Sequence, residues 1–218
     1  MRLILVRHAQ TPSNVIGALD TATPGPGLTE LGHEQAKALT KALAEERIHA
    51  IAVSTLTRTQ ETAAPLAAER GLTPIVRSGI REVEAGDLEM RGDREGVMQY
   101  LQTFAHWAEG DFDARMPGAE SGHEAFDRFD AVVRELAAEH ESVVLVSHGA
   151  MIRYWVARAT SNVDADFVRD NPLSNTGVVV VGGTPDGGWV VEQWLGETVG
   201  GPAVADAEHD GPTAEVVP

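Results

Sequence analysis

Short apolar runs alternating with longer amphipathic ones constrain this chain more than any other feature. Leu3 to Val6, Ile51 to Val53, Pro74 to Arg77 and Val143 to Val146 read as strands. Between them lie stretches with apolar residues at helical spacing. Thr29 opens one that runs to about Arg47 with Ala36, Leu39, Ala42 and Leu43 on one face, and Leu56 to Arg70 carries Ala63, Leu66 and Ala67 before Gly71 supplies the stop. Further on, Gly96 to Ala108 (Met98, Leu101, Phe104, Trp107), Glu124 to Glu139 (Phe126, Phe129, Val133, Leu136) and Ala150 to Ala159 repeat the pattern. Val178 to Val181 and Trp189 to Trp194 flank Gly-Gly-Thr-Pro-Asp-Gly-Gly, the mark of a hairpin. Strands interleaved with helices mean an α/β protein, and 218 residues suffice for one domain with a sizeable core. No internal repeat interrupts the order.

Polar clusters follow three of the strands. Arg7-His8-Ala9-Gln10-Thr11 follows the first, Ser54-Thr55-Leu56-Thr57-Arg58 the second, and Ser147-His148-Gly149 the Val143 to Val146 strand. In open parallel sheets ligands sit beyond the carboxyl ends of strands, so two His and two Arg far apart in sequence are expected to converge there. Guanidinium forks match phosphate oxygens, and the small Ala9 and Gly149 let backbone come close to the same guest. A neutral imidazole then attacks phosphorus while the remaining donors neutralise charge on the transferring group. The departing alkoxide needs a proton, and carboxylates from Glu82 to Glu89 are the candidates.

Five motifs in one order, from Arg2 to about Thr160, resemble the histidine phosphatase superfamily, in its phosphoglycerate mutase-like branch. They are Leu5-Val6-Arg7-His8-Ala9-Gln10-Thr11-Pro12-Ser13-Asn14; Ser54-x-Leu56-x-Arg58-Thr59-x-Glu61-Thr62-Ala63; Arg81-Glu82 with Gly86; Pro117-Gly118-Ala119-Glu120-Ser121; and Val146-Ser147-His148-Gly149. The resemblance implies a three-layer αβα sandwich with a mostly parallel central sheet. It implies His8 as phosphorylated nucleophile, Arg7, Arg58 and His148 as the phosphate pocket, Asn14 as a further donor, Glu82 as proton donor, and neither metal nor cofactor. Asn14 has a second reading as a cap of the following turn, and Glu120-Ser121 reads as the start of a helix. Ala9 stands where the family usually has Gly, Thr55 replaces a frequent Asp, and Gly86-Asp87-Leu88-Glu89-Met90 departs from Gly-Asp-Trp-Glu-Gly. Specificity is therefore expected in Gly86 to Gly118 and in the Asp20 to Gly27 loop.

The chemistry expected is hydrolysis of a small phosphorylated metabolite through phosphohistidine. A phosphoglycerate mutase-type transferase, a protein phosphohistidine phosphatase and a non-enzymatic phosphate-binding scaffold are the competing readings. Composition narrows the field. There is no Cys, which removes thiol nucleophiles and thiolate metal sites, and no other His falls at metal-ligand spacing. A net charge of −16 argues against nucleic acid and anionic membranes as partners, and no apolar run approaches a membrane span. A cytoplasmic protein is expected; its oligomeric state is left open. From Val199 to Pro218 the chain holds four acids and no Lys or Arg among Gly, Pro and Ala, so residues 1–198 are read as the domain and 199–218 as a disordered acidic tail.

Overall fold

The computed structural model describes residues 1–212. Its elements are β1 (Arg2–Arg7), α1 (Pro12–Val15), α2 (Glu30–Ala42), β2 (Ala50–Val53), α3 (Thr57–Arg70), β3 (Ile75–Val76), α4 (Arg94–Ala108), α5 (Gly122–Glu139), β4 (Ser142–Ser147), α6 (Gly149–Ala159), α7 (Ala165–Asp170), β5 (Val178–Thr184) and β6 (Gly188–Leu195). They build a six-stranded sheet in the order β3-β2-β4-β1-β5-β6. The pairs β3-β2, β2-β4 and β4-β1 are parallel; β1-β5 and β5-β6 are antiparallel. The mixed α/β sheet is thus mostly parallel, with the hairpin at one edge.

Period-two alternation sorts the strand side chains into two layers. Leu3, Leu5, Ala52, Val143 and Leu145 join Phe129, Val133, Leu136, Met151, Ile152 and Trp155, from α5 and α6, on one face. Ile4, Val6, Ile51, Val53, Val144 and Val146 meet Leu39 and Leu43 from α2 and its end, and Ala63 and Leu66 from α3, on the other. Covered on both faces, β1 and β4 are apolar almost throughout, as parallel core strands are. No helix among the described residues is long and apolar enough to cross a membrane.

Three local features differ from expectation. The helix expected to reach Arg47 ends at Ala42, and α7 forms where the sequence shows too short a pattern to announce it. A one-turn helix also forms at Pro12–Val15, with Pro in its first turn and Thr11 and Asn14 in a reciprocal capping box. Gly32 explains part of the Leu28-Thr29-Glu30-x-Gly32 run, because a Cβ there would lie 2.2 Å from the Gln10 carbonyl oxygen. Its bareness lets α2 press against the loop that carries His8.

Residues 199–212 belong to the segment expected as a disordered acidic tail, and the structure describes them against the domain. They cross the carboxyl ends of the strands, tied by hydrogen bonds from Gln35 Nε2 to the Val204 carbonyl (2.9 Å), Gln10 Nε2 to the Asp206 carboxylate (3.0 Å) and the Asn175 amide to Asp210 Oδ1 (3.0 Å). Asp210 is 5% exposed. The ordering comes from polar bonds to buried groups of the domain, a source that a count of apolar residues does not register. The rest of that segment, 213–218, lies outside the described residues.

Candidate active site

The carboxyl ends of β1, β2 and β4 bring Arg7, His8, Arg58 and His148 together, and Glu82 reaches them from the loop after β3. All five are almost wholly buried. Arg7 is the last residue of β1 and Arg58 lies in the first turn of α3. His148 is the N-cap of α6, directly after β4, and Gly149 opens that helix. The two imidazole rings stand 5.2 Å apart, edge to face.

Hydrogen bonds define the ring states. His8 Nδ1 lies 2.8 Å from the Ala9 carbonyl oxygen, which only accepts, so Nδ1 carries the proton and Nε2 keeps its lone pair. Burial, then the charges of Arg58 and Arg7, hold the His8 imidazole well below its ordinary pKa and therefore neutral. Burial and Arg58 do the same for His148. Its Nε2 lies 2.9 Å from Ser54 Oγ. The loop that carries His8 is held by its Ala9 amide, bonded to Thr62 Oγ1 (2.9 Å), and by Asn175 Nδ2 donating to the His8 carbonyl (3.0 Å).

Glu82 meets the N-terminus of α6. Its Oε1 accepts from the amides of Val83 and Met151, each at 2.9 Å, and Oε2 accepts from Ala150 at 3.2 Å. Burial nevertheless raises its pKa, while those three amides and Arg58 pull it down. The balance favours a carboxyl that holds a proton above the usual carboxylate range.

Four buried nitrogens, Arg7 Nε, Arg58 Nε, Arg58 Nη1 and His148 Nδ1, have no hydrogen-bond acceptor among the described residues. Buried donors are normally satisfied, and a tetrahedral oxyanion supplies several acceptors at once. The remaining guanidinium donors fix the forks: Arg7 Nη1 to the Leu173 carbonyl (2.7 Å) and Arg58 Nη2 to that of Asp20 (2.8 Å), with Asp20 Oδ1 3.7 Å from Arg58 Nη1. Asn14 serves as a cap, and its amide donor meets a carbonyl in this structure. Its Oδ1 accepts from the Thr11 amide as a cap, while its Nδ2 donates to the Asp210 carbonyl at 3.3 Å. The same carbonyl accepts from Arg7 Nη2.

Asp210 and Pro212 were not among the residues singled out, yet they roof the site. A cavity of about 30 Å³ remains beneath them, lined by His8, Asn14, Asp20, Arg58, Glu82 and Pro212. Glu89, one of the Glu82 to Glu89 carboxylates offered as proton donors, is used differently. It binds the amides of Thr21 and Ala22 (2.8 and 3.0 Å) and the Thr21 hydroxyl (2.5 Å), shaping the loop whose Asp20 carbonyl holds Arg58. Its place in the Gly86 to Met90 run was the available signal. Asn175 had none, since it lies in an otherwise featureless connection. A larger cavity of about 640 Å³ opens between α4, α6 and α7, with Leu101, Phe104, Trp107 and Ala150 in its wall. Leu101 and Trp107 thus serve both as core and as cavity wall.

Residues 3–195 match the family model for the histidine phosphatase superfamily (branch 1). The chain is 37% identical over 213 residues to the PE-PGRS family protein PE_PGRS11 of Mycobacterium tuberculosis, covering 89% of this chain but 36% of that protein, so it spans about a third of that relative. It is 32% identical over 155 residues to phosphoserine phosphatase 1 of Hydrogenobacter thermophilus, covering 70% of this chain and 73% of the relative. Among solved structures, a mycobacterial glucosyl-3-phosphoglycerate phosphatase complexed with VO3 superposes with a TM-score of 0.75 at 26% identity, over 89% of this chain and 98% of that one. The chain belongs to the histidine phosphatase superfamily.

Proposed function

We propose that this protein hydrolyses the phosphomonoester of a small metabolite through a phosphohistidine intermediate, without a metal. The observation that carries the reading is the buried His8, its Nδ1 bonded to the Ala9 carbonyl and its ring beside Arg7, Arg58 and His148, whose buried nitrogens lack acceptors among the described residues. Relatives named as phosphatases of phosphoserine and glucosyl-3-phosphoglycerate support the substrate class.

In the first step His8 Nε2 forms a bond to phosphorus as the ester P–O bond breaks, and Glu82 gives its proton to the departing oxygen. Arg7, Arg58 and His148 neutralise charge on the phosphoryl oxygens, the task that a metal performs in other phosphoryl-transfer sites. In the second step a water gives a proton to the Glu82 carboxylate and its oxygen bonds to phosphorus. The P–N bond breaks, inorganic phosphate leaves and His8 recovers its lone pair. Atoms and charges return to the starting state. The leaving group extends toward the cavity between α4, α6 and α7, which begins at Ala150, whose amide binds Glu82.

Turnover of p-nitrophenyl phosphate with rapid acid quenching tests the reading. A base-stable, acid-labile phosphoprotein is expected in the wild type and is absent in His8→Ala, and chelators leave the rate unchanged. Full activity in His8→Ala, or no turnover between about pH 5 and 8, overturns it. Activity lost on chelation refutes the metal-free part.

A further inference from the structure

Glu120 and Arg128 take no part in the phosphate pocket, and the Pro117-Gly118-Ala119-Glu120-Ser121 motif is only half explained by capping. Ser121 is the N-cap of α5, in a capping box with Glu124; Glu120 points elsewhere. We infer that Glu120 and Arg128 form a positioning clamp for Glu82, fixing the backbone on both sides of the proton donor. The inference rests on the reading of Glu82 as general acid.

All five N–H donors of Arg128 are engaged. Nε and Nη2 bind Glu120 Oε2 and Oε1 at 2.7 and 2.6 Å. Nη1 donates to the carbonyls of Gly79 (2.7 Å) and Arg81 (2.8 Å), and Nη2 also donates to that of Glu82 itself at 3.0 Å. Glu120 Oε1 in turn accepts from the Glu84 amide at 3.2 Å. One ion pair therefore grips residues 79, 81, 82 and 84, with side-chain exposures of 14% for Arg128 and 8% for Glu120. A Cβ at Gly79 would lie 2.5 Å from the Arg128 carbonyl oxygen, so α5 rests directly on this turn. From the opposite side the α6 amides hold the Glu82 carboxylate. Backbone and side chain of the acid are thus fixed by separate helices.

Stability alone is a poor reason for such a pair. Buried ion pairs are often replaceable by packed apolar residues at little cost, whereas a planar fork of five donors specifies position. Position matters for a general acid, because a displacement of about 1 Å can cost about 10²-fold in rate. Glu120 also cancels the Arg128 cation next to a carboxyl that has to keep its proton. Lysine cannot replace the clamp, since it offers a point charge without the fork.

The leaving group distinguishes positioning from simple structural support. The wild type, Arg128→Lys, Glu120→Gln and, as calibration, Glu82→Gln are compared on p-nitrophenyl phosphate, whose leaving group needs little protonation, and on glycerol 2-phosphate, whose alkoxide needs it. Arg128→Lys and Glu120→Gln are expected to lose about tenfold more kcat on the alkyl ester than on the aryl ester, with KM for both little changed. If Glu82→Gln shows this selectivity and the clamp variants lose equally on both esters, the clamp is only structural and the inference fails. If Glu82→Gln itself shows no selectivity, the general-acid reading falls and the clamp with it. Should Arg128→Lys fail to fold, Glu120→Gln, which keeps the shape and removes one charge, decides by the same ratio.

Discussion

At Glu82 and His8, one buried pocket drives two titratable groups to neutrality from opposite directions. Burial lifts the carboxyl above its ordinary 4.5 and, with Arg58 and Arg7, sinks the imidazole well below 6.5. Opposed environments of this kind divide acid from nucleophile. The sign of the rate profile follows: kcat/KM rises as pH climbs through the depressed value of His8 and falls as it climbs through the raised value of Glu82. A bell-shaped profile is expected, with the alkaline limb steeper for an alkyl ester than for p-nitrophenyl phosphate. Initial-rate measurements across pH check this; identical limbs for both esters would contradict it. Stability runs with the imidazoles. His8 and His148 stay neutral in the folded chain, whereas their unfolded counterparts take protons near pH 6.5, so folding weakens as pH falls below that value by about 1.4 kcal/mol per pH unit for each group. Glu82 acts in the reverse sense above 4.5. Denaturant titrations of wild type against His8→Asn isolate the imidazole, and the variant is expected to show the shallower loss.

Among the elements, α5 joins stability to the site, because its first turns carry both a cap and Arg128. The Ser121 hydroxyl accepts from the Glu124 amide, and the Glu124 carboxylate accepts from that of Ser121 at 2.8 Å. Ser121→Ala is expected to cost about 1 kcal/mol in denaturant unfolding. A comparable percentage loss of kcat on alkyl and aryl esters would accompany any fraying, unlike the selective loss expected for the clamp. What was legible in the sequence follows the same division. Strands buried on both faces, such as Leu3 to Val6 and Val143 to Val146, announce themselves because their surroundings demand apolar side chains. Arg7, His8, Arg58 and His148 were legible because each follows a strand end, where topology gathers ligand groups. The role of Glu120 was not, since a carboxylate beside a capping serine looks the same whether it meets water or a guanidinium eight residues on. α7 escaped for want of length: its six residues rest on the Asp164 cap and on Val168 packed against α6, whose Arg153 binds the Val168 carbonyl.

For the whole molecule, the net charge of −16 meets an anionic substrate at a pocket where cations and carboxylates lie together. The pocket gathers Arg7 and Arg58, while Asp206, Glu208 and Asp210 sit on the segment drawn across it. That segment also occupies donors an incoming phosphate requires. The Asp210 carbonyl takes bonds from Arg7 Nη2 and Asn14 Nδ2, and a cavity of about 30 Å³ has room for little more than water. Substrate must displace the segment or compete with it, so part of its binding energy is spent on opening. A chain ending at Gly201, which retains Val199 on the core, is expected to show a several-fold lower KM for p-nitrophenyl phosphate and tighter inhibition by inorganic phosphate. Gly211 allows the same effect at full length. Its φ is +82°, and a Cβ there would lie 2.7 Å from Asn14 Nδ2, so Gly211→Val pushes the segment off the pocket without removing it. A lower KM in both variants in steady-state kinetics identifies the segment as a competitor of phosphate. A higher KM in both would instead mean that the segment completes the substrate site, by holding the Arg7 and Asn14 donors in place.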